Sequence, residues 1–507
     1  MRPLLVAAAA LVAIAIAFWQ INGAAEGLEV TDADLDGTPV TVFGKKGLGR
    51  APAVVVAHGF AGSQQLMHPF AVTLAQRGYR VFTFDFPGHG RHPGPVPGGL
   101  ADHDLRTRAL LDSLHRVASY AAGPAAPGPN DGIALLGHSM ASEIVVRYGR
   151  DHPEVKATIA VSLFFNEVSA TSPRNLLVID GALEPELITQ EGLRILRMST
   201  TDAPRPGVTY GDFAEGTARR LVLSRGVEHI GVLFSEDSLR EAGEWLDNAF
   251  GMRPEQVGPT DRRGLWLPLL FAALAAIGWP LSLLLPRLRG AMARAPMSQR
   301  RYVLACSAPA VLVPLALRFA PKGTIPLLVA DYLLLHFALY GAFIAVCARM
   351  VRAKEPAARC AGPAVTAVGT IAPAAFAAMG IGLPVHLYAF NLAPTASRLP
   401  YLLVIFVATL LYFLADERWI RSASAPKGAY FTSKLFFVLS LLFAVLLNLE
   451  RLFFLVIILP AVVVLFVVYG LFCRWLWTRT GAPEAGALTC ALAFAWAMAM
   501  VFPAVTP

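Results

Sequence analysis

Ser139 stands in Gly137-His138-Ser139-Met140-Ala141, directly after the apolar run Gly132–Leu136. A serine hydroxyl attacks a carbonyl carbon only when an adjacent base takes its proton. Small residues on both flanks of Ser139 suit a sharp turn from strand to helix, because a larger side chain there would strike the neighbouring backbone. Such a turn sets the hydroxyl at a helix N-terminus, where free amides and the helix dipole favour developing negative charge. Two histidines follow before the long apolar runs begin, His152 and His229. His152, in Asp151-His152-Pro153, falls at the far end of the helix that Ser139 opens, so it points away. His229 follows the strand-like Arg219–Leu223 and the short loop Ser224–Glu228, and it stays open as a base. Two carboxylates compete for the role of orienting it, Asp180 and Glu184, both just after the apolar run Asn175–Ile179. The plain alternatives are an ordinary helix-capping serine and a surface histidine.

Other reactive-looking groups lead elsewhere. His89, His92, Asp102, His103 and Asp104 are close in sequence, but their spacing fits no zinc pattern. There is no phosphate-binding loop and no dinucleotide glycine pattern. Neither a metal nor an organic cofactor is expected.

The elements that must position Ser139 alternate. Ala53–Ala57 reads as a buried strand ending in His58-Gly59-Phe60-Ala61-Gly62-Ser63. Helical Pro69–Arg77 precedes a second strand, Tyr79–Phe84, which runs into Asp85-Phe86-Pro87-Gly88-His89-Gly90. Helical Asp102–Tyr120 leads to the strand Gly132–Leu136, the Ser139 turn and a helix to about Arg150. Alternation of this kind predicts an α/β fold, a doubly wound, mostly parallel sheet with helices on both faces.

HGFAGS, DFPGHG and GHSMA, in this order and at strand ends, resemble the α/β-hydrolase superfamily over roughly Val40 to Phe250. The resemblance implies the chain order serine, acid, histidine, and so His229 as base. It implies an acid three residues beyond Gly181, which selects Glu184 over Asp180. It implies an oxyanion hole from the backbone amides of Met140 and Phe60; the alternative for Phe60 is a loop aromatic that merely packs. Ala141 departs from the commoner glycine. Many relatives insert a helical cap after the strand that follows the serine helix, here about Thr158–Val161. Leu163–Pro173 is too short for one, and Ile188–Tyr210 is the only candidate flap. The site is then open, or is covered by the membrane part of the chain or by the bilayer.

Composition divides the 507-residue chain. Overall it is 55% hydrophobic and 15% charged, where soluble domains carry about 25% charged residues. Disorder and a disulfide scaffold are excluded, the latter because there are only five cysteines. Those five, Cys306, Cys347, Cys360, Cys473 and Cys490, all lie in the C-terminal half and read as small apolar helix residues. Residues 28–256 have the mixture of a globular domain. Residues 257–507 form apolar runs with short basic loops, an all-α transmembrane domain with spans Leu265–Leu285, Tyr302–Leu317, Ile325–Val346, Ala361–Leu383, Leu399–Ala415, Ser433–Leu449, Leu452–Cys473 and Ala485–Val501. Residues 1–27 contain a further apolar run, expected to be an uncleaved signal anchor rather than a cleaved peptide cut near Ile21–Ala25.

The net charge of +8 suggests nucleic acid until its distribution is read. Loops Arg287–Arg301, Arg349–Arg359, Arg418–Lys434 and Arg474–Arg479 are basic, whereas the intervening loops hold only Arg318 and Lys322, Arg398, and Arg451. The basic side is cytoplasmic by the positive-inside rule. That expectation puts the N-terminus inside and Leu28–Gln256 and the C-terminus outside, in a plasma or bacterial inner membrane. Asp331 and His336 fall within a span and are candidate functional groups by default, although five residues apart they do not share a face. Asp416 and Glu417 fall at a span end and are expected to be solvated. No internal repeat supports a transporter.

The function expected is a membrane-embedded serine hydrolase that cleaves an ester, thioester or amide through an acyl-serine. Its leading substrate is a lipid or other acylated envelope molecule. An acyltransferase would use the same residues, with an alcohol replacing water. A transporter or receptor with a non-reacting hydrolase-like binding domain is the alternative of a different class.

Overall fold

The computed structural model describes residues 1–99, 102–123, 130–253, 258–286, 297–321, 323–351, 363–422 and 424–506. Lys322, Cys360, the boundary expected at Gln256, and most of the basic loops Arg287–Arg301 and Arg349–Arg359 lie outside them.

Eight strands form one sheet: β1 (Leu28–Leu35), β2 (Thr38–Lys45), β3 (Ala51–Ala57), β4 (Arg80–Phe84), β5 (Asn130–His138), β6 (Val155–Val161), β7 (Leu176–Gly181) and β8 (Arg219–Ser224). Their order across the sheet is β1-β2-β4-β3-β5-β6-β7-β8. β1 pairs antiparallel with β2, and β2 with β4; all other pairs are parallel. The apolar run of β3 serves both faces, as a strand covered on both sides must. Val54 and Val56 pack with helices His68–Gln76 and Glu236–Phe250, while Ala53, Val55 and Ala57 pack with His103–Ala122 and Met140–Asp151. The β1–β2 hairpin turns through Asp36 and Gly37, both at positive φ, the pairing of types that a tight hairpin turn favours.

The expected flap does not form at its start. Glu186–Arg197 is a helix whose Ile195 and Leu196 are buried against β7 and β8 residues Val178 and Leu221. It belongs to the layer covering the sheet.

Among the described residues, nine helices are long and apolar enough to cross a membrane: Arg2–Gly23, Arg263–Ser282, Gln299–Leu317, Ala330–Met350, Ala367–Tyr388, Ala396–Ile420, Ala429–Leu447, Phe454–Thr480 and Pro483–Val501. Each overlaps one of the runs read from the sequence. Large apolar side chains such as Leu403, Leu446 and Val464 face outward, as they do where lipid is the solvent.

The acids inside this bundle, Asp331, Asp416 and Glu417, are paired. Asp331 lies in the first turn of its helix, binds Arg451 and accepts from the Gly323 amide at 2.9 Å. His336 is buried among Tyr332, Tyr340 and Phe437. Asp416 and Glu417 correct the expectation of solvation, since both are buried. Asp416 meets Lys434 at 2.5 Å and also binds Ser433, and Glu417 meets Arg421 at 3.2 Å. The helix extends past the apolar run to Ile420, which carries these acids into the bundle and forces them to find partners. Cys473 and Cys490 lie 3.1 Å apart, sulfur to sulfur, on neighbouring helices.

The bundle grips the sheet domain at the ends of the parallel strands. The Ser63 hydroxyl, after β3, accepts from the Asn391 amide at 2.9 Å. After β4, Gly88 accepts from the Ala504 amide at 2.9 Å and from Arg398 at 2.6 Å. After β8, Phe234 abuts Gly264, at the start of helix Arg263–Ser282. The C-terminal residues also bond Val96 on one side and Pro326 and Leu328 on the other, tying the two parts together. All these contacts come from the helix ends that the loop charges assign to one side.

Candidate active site

β5 ends at His138, and helix Met140–Asp151 begins one residue later. Ser139, at the corner, has φ 54° and ψ −117°, a strained conformation for a residue with a side chain. The Ser139 amide donates to the Val161 carbonyl at 2.8 Å, which ties the corner to β6. Gly137 has no room for a Cβ, which would collide with the Ala141 carbonyl and lie 2.8 Å from Val145 Cγ2. A Cβ on Gly59 would lie 2.9 Å from His138 Nδ1 and 3.1 Å from Ser139 Cβ. Glycine at position 59 is therefore what lets the loop before Phe60 approach the serine.

His229 bridges Ser139 and Glu184. Its Nε2 is 2.9 Å from Ser139 Oγ, and its Nδ1 is 2.5 Å from Glu184 Oε1. The geometry assigns the Nδ1–H tautomer, leaving Nε2 to accept the serine proton. The His229 carbonyl is 3.0 Å from His138 Nε2, which fixes the backbone of the histidine loop. Burial and the neighbouring His229 hold the His138 imidazole well below its ordinary pKa.

Glu184 Oε2 accepts from the Gly181 amide at 2.7 Å and from Ser162 Oγ at 3.0 Å. Loop 181–184 is itself fastened to the histidine loop: Ala182 donates to the Ser224 carbonyl at 2.8 Å and Leu183 to that of Val227 at 3.0 Å. Asp180 makes no such contact with His229. It is fully buried, and desolvation together with the nearby Glu184 pushes its carboxyl well above the usual range. The structure thus brings together Ser139, His229 and Glu184, and leaves Asp180 behind them.

Met140 follows Ser139 and opens its helix, so its amide has no intrahelical acceptor. Phe60 follows Gly59, and its ring packs edge-on against Phe454 (4.5 Å between centroids) and His89 (6.2 Å). His58, buried and held below its ordinary pKa by desolvation, donates from Nδ1 to the Gly59 carbonyl at 2.8 Å. Its Nε2 accepts from the Phe86 amide at 3.1 Å. One neutral histidine thereby joins the HGFAGS and DFPGHG loops. Asp85 adds a second tie, accepting from the Gln64 amide at 2.9 Å and the Arg91 amide at 3.0 Å.

Among the described residues no group of three or more histidines, cysteines or acids is placed to hold a metal ion. His89 Nδ1 is 2.9 Å from the Pro87 carbonyl, His92 turns to Gly94, and Asp102 caps helix His103–Ala122.

Residues 52–183 match the family model described as alpha/beta hydrolase fold. The chain carries an α/β-hydrolase domain. It is 32% identical over 113 residues to Esterase YjfP of Escherichia coli (strain K12), which is 22% of this chain and 44% of that protein. It is 27% identical over 183 residues to the monoacylglycerol lipase of Mycolicibacterium smegmatis, 33% of this chain and 60% of that protein. The chain thus spans less than two thirds of either relative.

Two supports of the α/β-hydrolase site escaped the sequence reading. Ser162, at φ 57°, holds Glu184. Arg398, read as a loop charge, is buried and donates to the carbonyls of Gly88, Ala499 and Phe502 at 2.6, 2.6 and 2.8 Å. Its position in a loop otherwise poor in cations was the available signal.

Proposed function

We propose that this protein is a membrane-anchored serine hydrolase that cleaves an ester, thioester or amide through an acyl-serine intermediate. The observation that carries the reading is the continuous line from Ser139 Oγ to His229 Nε2 at 2.9 Å and from His229 Nδ1 to Glu184 Oε1 at 2.5 Å. The similarity to an esterase and a monoacylglycerol lipase supports it.

In this mechanism Ser139 Oγ bonds to the substrate carbonyl carbon as His229 Nε2 takes its proton. Glu184 steadies the resulting imidazolium and keeps the ring in its tautomer. The amides of Met140 and Phe60 receive the carbonyl oxygen as it becomes an oxyanion. Collapse breaks the bond to the alcohol, thiol or amine, which leaves with the proton from His229. Water then attacks the acyl-serine, with the same histidine as base, and frees the acid.

The hydrolase domain works outside the cytoplasm in this reading, because the loops rich in arginine and lysine mark the opposite side of the bundle. Residues 28–256 are the catalytic domain, 1–27 its anchor and 257–507 the membrane domain.

The test is turnover of a short acyl ester by purified full-length protein. Ser139→Ala is expected to lower it by about 10³-fold or more with unchanged expression, because members of such a triad act as a unit. Wild-type turnover in that variant would refute the acyl-serine mechanism.

A further inference from the structure

The edge of the sheet that holds the site meets the bundle at both flanks. In the order β4-β3-β5-β6-β7-β8, helix ends grip the loops after β4 and β3 at one flank and the segment after β8 at the other. The loops after β5, β6 and β7 lie between these grips, on the same edge. They carry Ser139, Ser162 and Glu184.

Between the grips three large apolar side chains are uncovered. Phe164, Leu183 and Leu187 are 59%, 66% and 62% exposed. Phe164 stands two residues beyond Ser162, Leu183 directly before Glu184, and Leu187 in the first turn of the helix that follows. Large apolar side chains exposed on the loops that carry a site are costly in water, and contact with an apolar phase explains them. With those helices read as membrane spans, their ends set this edge at the membrane surface, and the apolar phase within reach is the acyl layer of the adjoining leaflet. An acid of this rim, Glu167, is held by Arg150 at 2.8 Å.

We propose that Phe164, Leu183 and Leu187 dip into that leaflet and receive the acyl chain of a bilayer lipid, whose ester then reaches Ser139 from the membrane rather than from water. This rests on the serine-hydrolase reading and gives it a substrate class. The covalent step is the one derived above: the acyl group passes to Ser139 Oγ, the lipid alcohol leaves with the proton, and water releases the fatty acid.

The test uses the full chain in lipid nanodiscs with two substrates, a fluorogenic acyl-ester lipid in the disc and p-nitrophenyl butyrate in the buffer. The double variant Phe164→Ser, Leu187→Ser is expected to lose about tenfold or more on the lipid, from the apolar contact removed. Its turnover of the soluble ester should stay within about twofold of wild type. Undiminished lipid turnover, or equal loss on both substrates, overturns the proposal. A second variant, Phe164→Trp, reads the contact without turnover: acyl-brominated lipids should quench its emission beyond the wild-type level, and no excess quenching counts against the proposal. Wild-type protein inactive on both substrates would sink the serine-hydrolase reading itself, and this inference with it. Failure of the rim variants beside an active wild type sinks only the inference.

Discussion

The ring of Phe454, at the start of a membrane helix, lies edge-on against that of Phe60, with centroids 4.5 Å apart. Phe60 is the residue whose amide the proposed mechanism uses, so the helical bundle braces this loop from outside the hydrolase fold. An aromatic pair contributes about 0.5–1.5 kcal/mol beyond its buried area. Phe454→Ala is therefore expected to lower kcat for a short soluble ester by about three- to tenfold while KM changes little. Steady-state kinetics of the variant check this, and a change confined to KM would mean the contact shapes binding rather than the oxyanion position.

Arg398 makes the other brace. Its removal takes a donor from three carbonyls, of which Gly88 keeps the Ala504 amide while Ala499 and Phe502 lose theirs, and each unsatisfied polar group costs about 1–3 kcal/mol. Arg398→Met is expected to lower the temperature at which ester hydrolysis is lost on heating by several degrees, roughly 2–4 °C per kcal/mol for a domain of this size. An unshifted inactivation midpoint would show that the clamp adds nothing to stability.

The two acids separate by charge state. Glu184→Gln keeps the shape but removes the charge that steadies His229, and it is expected to lower kcat by about 10³- to 10⁴-fold. Asp180 makes no contact with His229, and burial and Glu184 both disfavour its charged form. Asp180→Asn therefore leaves the His229–Glu184 contact in place, and turnover should fall by less than about threefold. A dead Asp180→Asn beside an active Glu184→Gln would reverse the assignment.

Four buried histidines set the acid limit. His58, His68, His89 and His138 are all held below their ordinary pKa by burial, His68 to about 3. The unfolded chain takes up these protons near pH 6.5, whereas the folded chain does not. Stability is therefore undiminished above pH 6.5 and falls as pH drops below it, by about 1.4 kcal/mol per unit for each histidine until its folded pKa is reached. Asp180 works in the opposite sense, because its raised pKa lets the folded state hold a proton that the unfolded state releases above pH 3.8. The thermal inactivation midpoint should drop between pH 7 and pH 5; a midpoint constant over that range would contradict the neutral assignment.

Much of the site was legible because its demands are local. A corner at Ser139 excludes large flanks, and Gly137, with its Cβ position blocked by the Ala141 carbonyl, shows why. The strand after the serine helix, the two loops and His229 follow from order along the chain. Glu184 needed the register of a resembling family, since spacing alone left Asp180 open. The β1–β2 hairpin was readable from Asp36-Gly37 between two strand-like runs, yet went unread beside the stronger signals of β3 and β4. The remainder was hidden for a physical reason. Arg398 and Gly88 are 310 positions apart, and Asp416 and Lys434 belong to different helices. A single sequence shows a charge but not the partner that folding delivers to it.

Orientation is open to a direct check. A reporter active only outside the cytoplasm, fused at Phe250, should be active, and the same reporter fused after Arg294 should be silent. The reverse pattern would put the hydrolase domain in the cytosol and undo the reading of the loop charges.

The most direct measurement is labelling of the full-length protein with a fluorophosphonate probe, followed by mass spectrometry of the modified peptide. The account requires a single adduct on Ser139, abolished in Ser139→Ala and slowed by about 10³-fold or more in His229→Ala, because only an activated serine displaces the fluoride quickly. A folded protein that takes no label, or takes it on another residue, would contradict the claim that Ser139, His229 and Glu184 work as a nucleophile with its base.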